Sequence, residues 1–324
     1  MVRNLFNNSK KFLPFIGILI LIIIVLTLDV NKIIDAFLEI ELIYILFALL
    51  LVIPMFLLRS YTWQYILREQ KIELGYIRTM KIFMIGYFYC SVTPGYIGHL
   101  IRVPYVKEDT GEPYGKLFVN VVIDSTLRTL AQYLLVTIGA ILVISTFPEI
   151  FWINITIFAV TIIILLYLIK KDRGEKLFHR IIKYTIPRKH KDKFFSFVDT
   201  FYHDFPKINR LIFPFLIGLS TWIIMFSQEY IIVMALDLPI PWHYFILLFP
   251  LANLSGFLPI TFAGLGLREL TSITIFTTLF AVGAEEMLVA TLVGFMITDV
   301  FAGLIGFFVS LTEAGNKKKA STMD

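Results

Sequence analysis

Two arginines in this chain each stand four residues after a glycine, in stretches that otherwise read as membrane. The first stretch is Pro94-Gly95-Tyr96-Ile97-Gly98-His99-Leu100-Ile101-Arg102. The second is Pro259-Ile260-Thr261-Phe262-Ala263-Gly264-Leu265-Gly266-Leu267-Arg268-Glu269. Proline ends a helix, and glycines before the next one free backbone N–H groups that suit an anion. A guanidinium adds a planar fork matched to phosphate. The chemistry expected is recognition of a phospholipid or lipid-phosphate headgroup, anionic in character, by Arg102, Arg268, Gly98, Gly264, Gly266 and His99. His99 reads equally as a ligand, a proton carrier or a structural histidine. Competing with this, Arg268 could pair with Glu269 or Glu229, and Arg102 could snorkel to the membrane surface.

A second polar set repeats every four residues: Asn120, Asp124, Arg128 and Gln132. That spacing puts all four on one helical face, over about 18 Å. An internal Asp124–Arg128 ion pair would account for two of them. The additional amides favour a face lining a solvated route. Glu229, Glu269 and Asp299 are further acids within apolar sequence, and charges at membrane depth ordinarily face a cavity or a partner. Thr271, Thr274 and Thr278 form a hydroxyl stripe, which back-bonding to their own helix would also explain. Gly294, Ala302, Gly303 and Gly306 read as close helix packing.

Much chemistry is excluded. The chain has no H-E-x-x-H, G-x-S-x-G, P-loop or dinucleotide fingerprint. Its single cysteine, Cys90, allows no intrachain disulfide. His179, His190 and His203 lack metal-ligand spacing. No catalytic residue, metal or cofactor is expected, although an intramembrane lipid-modifying activity using His99 and Asp124 stays open.

These residues need elements to hold them, and composition says which. With 58% hydrophobic residues and a mean hydropathy of +0.80, the chain is an all-α integral membrane protein. Full spans are expected at 12–28, 40–58, 117–146, 149–169, 211–235 and 287–311, with interrupted regions at 80–106 and 244–281. No small-residue cleavage site follows the first run, so it is read as a retained span. Residues 1–324 form one polytopic membrane domain, in which 170–210 is a basic loop. Lysine and arginine gather there, at the N-terminus, in 59–81 and in the tail, so those parts are cytoplasmic. This distribution, rather than nucleic-acid binding, explains the net charge of +5. The arms of each interrupted region are shorter than a full crossing. Two re-entrant hairpins entering from opposite faces and meeting near the midplane, an inverted repeat, are therefore expected. The alternative is eight or more short spans. Trp63, Trp152 and Trp242 fall near span ends and read as interfacial anchors.

On these motifs the chain resembles the flippase-like family named for the membrane region of lysylphosphatidylglycerol synthase, whose stand-alone members occur in archaea and bacteria. Pro94, Gly95, Gly98 and Arg102 match its first motif, with His99 in place of an acid. Gly264, Gly266, Arg268 and Glu269 match its second, with Phe262-Ala263 where a proline usually stands. On the following span Asp124 matches the family's acid, while Ser125 replaces an arginine and Arg128 an aspartate. The resemblance implies movement of a phospholipid between leaflets of a prokaryotic cell membrane, with membrane lipids as partners. It does not imply the synthase activity, whose cytosolic domain is not in this chain. The second function class is a non-catalytic subunit that anchors a lipid-modifying enzyme or glycosyltransferase through the basic loop; a homo-oligomer is compatible with either.

Overall fold

A computed structural model describes residues 16–169, 171–185, 191–203, 205–255, 261 and 264–321. The basic residues Arg3, Lys10, Lys11, Lys170, Arg188 and Lys189 lie outside the described residues, as do Pro259, Ile260, Phe262 and Ala263 of the second motif. Among the described residues every regular element is a helix, as the composition requires. In chain order these are α1 (Ile16–Thr27), α2 (Val30–Glu39), α3 (Leu42–Glu69), α4 (Tyr76–Val92), α5 (Arg102–Thr110), α6 (Tyr114–Leu142) and α7 (Pro148–Ile169). There follow α8 (Lys171–Thr185), α9 (Lys191–His203), α10 (Ile208–Ala235), α11 (Trp242–Ser255), α12 (Leu267–Phe280), α13 (Ala284–Phe295) and α14 (Ala302–Ser321). A 3-10 turn, Pro94–Ile101, joins α4 to α5, and a π turn, Met296–Phe301, joins α13 to α14.

Five stretches are long and apolar enough to cross a membrane: α3, α6, Pro148–Leu165, α10 and Ala284–Glu313. A sixth arises if α1 and α2 count together, although they meet at 98°. Asp29 sits at that bend and accepts the Asn31 backbone N–H at 2.9 Å, capping α2. Each span expected from the sequence has its helix. One helix runs further than hydropathy indicates: α3 continues past residue 58 to Glu69. Its second half buries Arg59, Ser60, Thr62, Trp63 and Gln64, with the Gln64 amide donating to the Leu74 carbonyl at 3.0 Å. Helix continuity depends on backbone bonding, and satisfied polar side chains do not interrupt it. Residues 170–210 are likewise not an open loop. Helices α8 and α9 pack on each other, burying Ile182 and Val198 against Phe178, Phe195 and Phe197.

The chain divides into two compact units. The first comprises residues 1–58, 80–101 and 220–324, and the second 59–79 and 102–219. In the first, α11 packs on α12 and α12 on α13. Helices α11 and α12 have 14 residues each, about 21 Å, against a hydrocarbon core of about 30 Å. An aromatic stack ties them: the Phe245 ring lies 4.8 Å from Phe249 and 5.3 Å from Phe276. In the second unit α6 packs with α5, α7 and α9.

Both helix breaks depend on glycine contact. A Cβ on Gly98 would collide with the Tyr89 carbonyl, so the 3-10 turn lies directly on α4. Gly266 has φ +87°, and a Cβ there would collide with the Gly17 carbonyl oxygen of α1. Gly266→Ala combines a left-handed backbone, worth about 1–2 kcal/mol, with a backbone clash that cannot relax cheaply. The expected result is a lowered thermal midpoint and poor recovery of monodisperse protein in detergent. An unchanged midpoint would contradict the close approach of α1 to this corner.

Candidate functional site

Each unit holds one motif arginine in a buried corner. In the second unit Arg102, the first residue of α5, is 1% exposed. Burial excludes the snorkelling alternative. Its Nη2 donates to Asp124 Oδ2 on α6 at 3.0 Å, and its guanidinium lies 4.6 Å from the Trp63 ring centroid on α3. The same carboxylate oxygen is 3.6 Å from Arg128 Nε, one turn along α6. Asp124 therefore serves two arginines, and the ion pair internal to α6 is the longer of the two contacts. Trp63 Nε1 donates to Asn120 Oδ1 at 2.6 Å, and Asn120 Nδ2 donates to Gln70 Oε1 at 2.8 Å. Gln132 is fully buried. Of the α6 stripe, Asn120, Asp124 and Gln132 are enclosed while the Arg128 side chain is 19% exposed, and the stripe is partly engaged with α3 and α5.

Trp63 departs from its expected role. Trp152 and Trp242 are exposed on their unit surfaces, as interfacial anchors would be, whereas Trp63 is fully buried beneath a guanidinium. The sequence hid this because Trp63 follows the apparent end of a span.

In the first unit Arg268, the second residue of α12, is also 1% exposed. Its Nη2 donates to Glu269 Oε1 at 2.8 Å, with Nε at 3.2 Å from the same oxygen. Nη1 lies 3.5 Å from Asp299 Oδ2 in the π turn, and the guanidinium is 4.7 Å from the Phe295 centroid. Glu269 Oε2 accepts the Gly266 N–H. The start of α12, expected to offer free N–H groups to an anion, is capped here by its own third-position glutamate. Gly98 differs in the same sense, its N–H donating to Thr93 Oγ1 at 3.0 Å. Pairing of Arg268 with Glu269 is found, and Asp299 joins it. Glu229 on α10 is 2% exposed, with Oε1 3.5 Å from Thr298 Oγ1. Thr271 and Thr274 donate to the carbonyls one turn back, so these two members of the hydroxyl stripe are back-bonded.

His99 is half-buried, its Nδ1 3.1 Å from Cys90 Sγ. Gly303 and Gly306 pack against Ser91 and Met84 of α4, as their size implies. The residues sequence reasoning missed are Trp63, Gln70, Phe295 and Thr298. Phe295 and Thr298 flank and enter the π turn, a backbone feature that is frequent at functional sites. Tyr87 of α4 donates its hydroxyl to the Thr298 carbonyl at 2.7 Å, occupying an acceptor within that turn.

Both corners thus share one plan: a glycine four residues earlier, a buried arginine, an aspartate across the unit, and an aromatic ring beneath. They differ in charge. The second unit has two arginines on one aspartate, and the first has one arginine among Glu229, Glu269 and Asp299.

The chain is 21% identical to a UPF0104 membrane protein of Pyrococcus horikoshii over 92% of its own length and 96% of that protein's. It is 23% identical to a UPF0104 membrane protein of Methanothermobacter thermautotrophicus, covering 80% of this chain and 82% of the other. The family model for the lysylphosphatidylglycerol synthase TM region matches residues 15–306, so this chain belongs to that family of multi-pass membrane proteins.

Proposed function

We propose that this protein moves a phospholipid or lipid-phosphate between membrane leaflets without hydrolysing ATP. The observation that carries this is the pair of arginine corners, each at a broken helix and each buried against a carboxylate and a ring. A guanidinium held this way is already desolvated and oriented. A headgroup phosphate can take the place of a carboxylate on the same fork, and the displaced carboxylate must then take up a proton or another partner. The aromatic face keeps the guanidinium in place during the exchange. Within the second unit Asn120, Asp124, Arg128 and Gln132 on α6 are the pathway-lining residues, and within the first unit Glu229, Glu269 and Asp299 are. On this reading the interrupted regions 80–106 and 244–281 are re-entrant hairpins in a cell membrane. The termini and the α8–α9 pair lie on the cytoplasmic side, where basic residues meet anionic lipid.

The test is leaflet exchange of fluorescent anionic and zwitterionic phospholipids in proteoliposomes containing only this protein. Arg102→Lys and Arg268→Lys each keep the charge and lose the fork. Each is expected to slow exchange by about tenfold or more, equivalent to about 1.4 kcal/mol of lost contact at the rate-limiting barrier. Exchange that both lysine variants sustain at the wild-type rate would remove these corners from the mechanism. Absence of exchange of any lipid by folded wild-type protein would favour the subunit reading, tested by co-purification of a membrane enzyme through the basic α8–α9 pair.

A further inference from the structure

Glu229 is the buried acid that no arginine claims directly. Arg268 spends its fork on Glu269 and Asp299. The carboxyl of Glu229 lies against Gly294, where a Cβ would come within 3.0–3.1 Å of its Cγ, Cδ and Oε2. Its Oε2 is enclosed and has no hydrogen-bond partner among the described residues. Its Oε1 faces one group, the Thr298 hydroxyl. That hydroxyl has a single proton and three acceptors around it. The Gly294 carbonyl is at 3.0 Å, Asp299 Oδ2 at 3.1 Å and Glu229 Oε1 at 3.5 Å. Donation to the Gly294 carbonyl or to Asp299 leaves the Glu229–Thr298 contact without a hydrogen, unless Glu229 supplies one.

The other groups facing Glu229 lead the same way. Arg268 and Glu269 approach from α12, and Asp299 and Thr298 from the π turn. On its own helix Gln228 is turned away, its amide donating to the Ala48 carbonyl. One positive charge among three carboxylates leaves a fully ionised cluster at net −2, and an uncompensated buried charge is strongly unfavourable. We propose that Glu229 is a proton-binding site, reached from Asp299 through the Thr298 hydroxyl, and that its loading and release couple translocation to a proton gradient. Asp299 is the more open end of the relay, its side chain 11% exposed against full burial of the Glu269 side chain. A hydroxyl accepts from one neighbour while donating to the other, so Thr298 passes a proton without leaving its turn.

The coupling half of this inference rests on the translocation reading, but the proton-binding half does not. Two measurements separate them. Infrared difference spectra of the purified protein across a pH titration are expected to show the C=O stretch of a protonated carboxyl, lost in Glu229→Gln. Thr298→Val keeps the carboxyl and removes its partner, and is expected to shift that band. It also serves if the glutamine variant fails to fold. In proteoliposomes the ratio of exchange rates with and without an imposed pH gradient is expected to be several-fold for wild type and to fall to one in Glu229→Gln. A spectrum unchanged by both substitutions would overturn the site. A wild-type ratio of one, with exchange proceeding, would overturn the coupling. No exchange in any condition, with the band present and lost as expected, would leave the proton site standing and refute translocation.

Discussion

Arg268→Ala is expected to lower stability by about 3–5 kcal/mol, the range for removing one partner of a buried pair. The reason is arithmetic of charge. Arg268 is 1% exposed and is the cation that neutralises Glu269 at 2.8 Å and Asp299 at 3.5 Å, with Glu229 nearby. Alanine leaves these carboxylates buried together and removes the guanidinium from the Phe295 ring. It also strips one partner from Glu269, whose other oxygen caps α12 at Gly266. That helix start lies against α1, so the loss spreads beyond one side chain. A drop of this size is a large share of the about 5–15 kcal/mol that holds a typical folded protein together. It would appear as a fall in the fluorescence-monitored thermal midpoint and as low yield. Arg268→Lys should retain most of the stability, because one ammonium still offsets the charge. Arg268→Ala/Asp299→Asn should recover part of the loss, since it removes one orphaned charge, and the cycle reports their coupling. A midpoint unmoved in the alanine variant would show that the arginine does not neutralise this cluster. The consequence for assays is direct: loss of transport in Arg268→Ala cannot distinguish a broken site from a broken fold, whereas the lysine variant can.

What the sequence disclosed follows from which signals are local. Apolar runs of span length identified every long helix, because hydropathy reports what lipid will accept. The spacing of four in Asn120, Asp124, Arg128 and Gln132 placed them on one face, because that periodicity is a property of the helix itself. The glycine-to-arginine spacing marked both corners for the same reason. Partners across elements were not legible. Asp124 lies 22 residues from Arg102 in sequence and Asp299 lies 31 from Arg268, and nothing local pairs them. Trp63 was assigned to an interface because hydropathy falls at Arg59, although the helix continues and buries both residues. The capping of Gly266 by Glu269 was partly legible. An acid at the third position of a helix is a capping signal, and it competes with the anion-site reading for the same N–H groups. That competition makes the first unit's corner acidic and self-contained, and it shifts emphasis from bare anion binding to exchange of a carboxylate for a phosphate.

Asp124→Ala is the second substitution expected to have a large effect, and it probes the opposite charge problem. Asp124 is 1% exposed and one of its oxygens meets Arg102 at 3.0 Å and Arg128 at 3.6 Å. Removing it leaves two guanidinium groups facing each other in a buried corner. The loss expected is again about 3–5 kcal/mol, read as a lowered thermal midpoint and altered emission from Trp63, whose ring lies beneath Arg102. Asp124→Asn keeps the shape and an acceptor oxygen but not the charge, so it should fall between alanine and wild type. The informative comparison is with Arg102→Met/Asp124→Leu, which removes the closer pair together. Apolar replacement of a buried pair is commonly neutral or stabilising, and Trp63 retains its bond to Asn120. That double variant should therefore be much more stable than Asp124→Ala, short of wild type only by what Arg128 loses with the Asp124 carboxylate 3.6 Å away. If Arg102 and Asp124 only hold the fold, lipid exchange by the double variant will stay near wild type. If they form a site where a phosphate replaces a carboxylate, exchange will be lost from a stable protein. Stability and transport separate in that one variant, so it decides whether the second corner is a brace or a binding site.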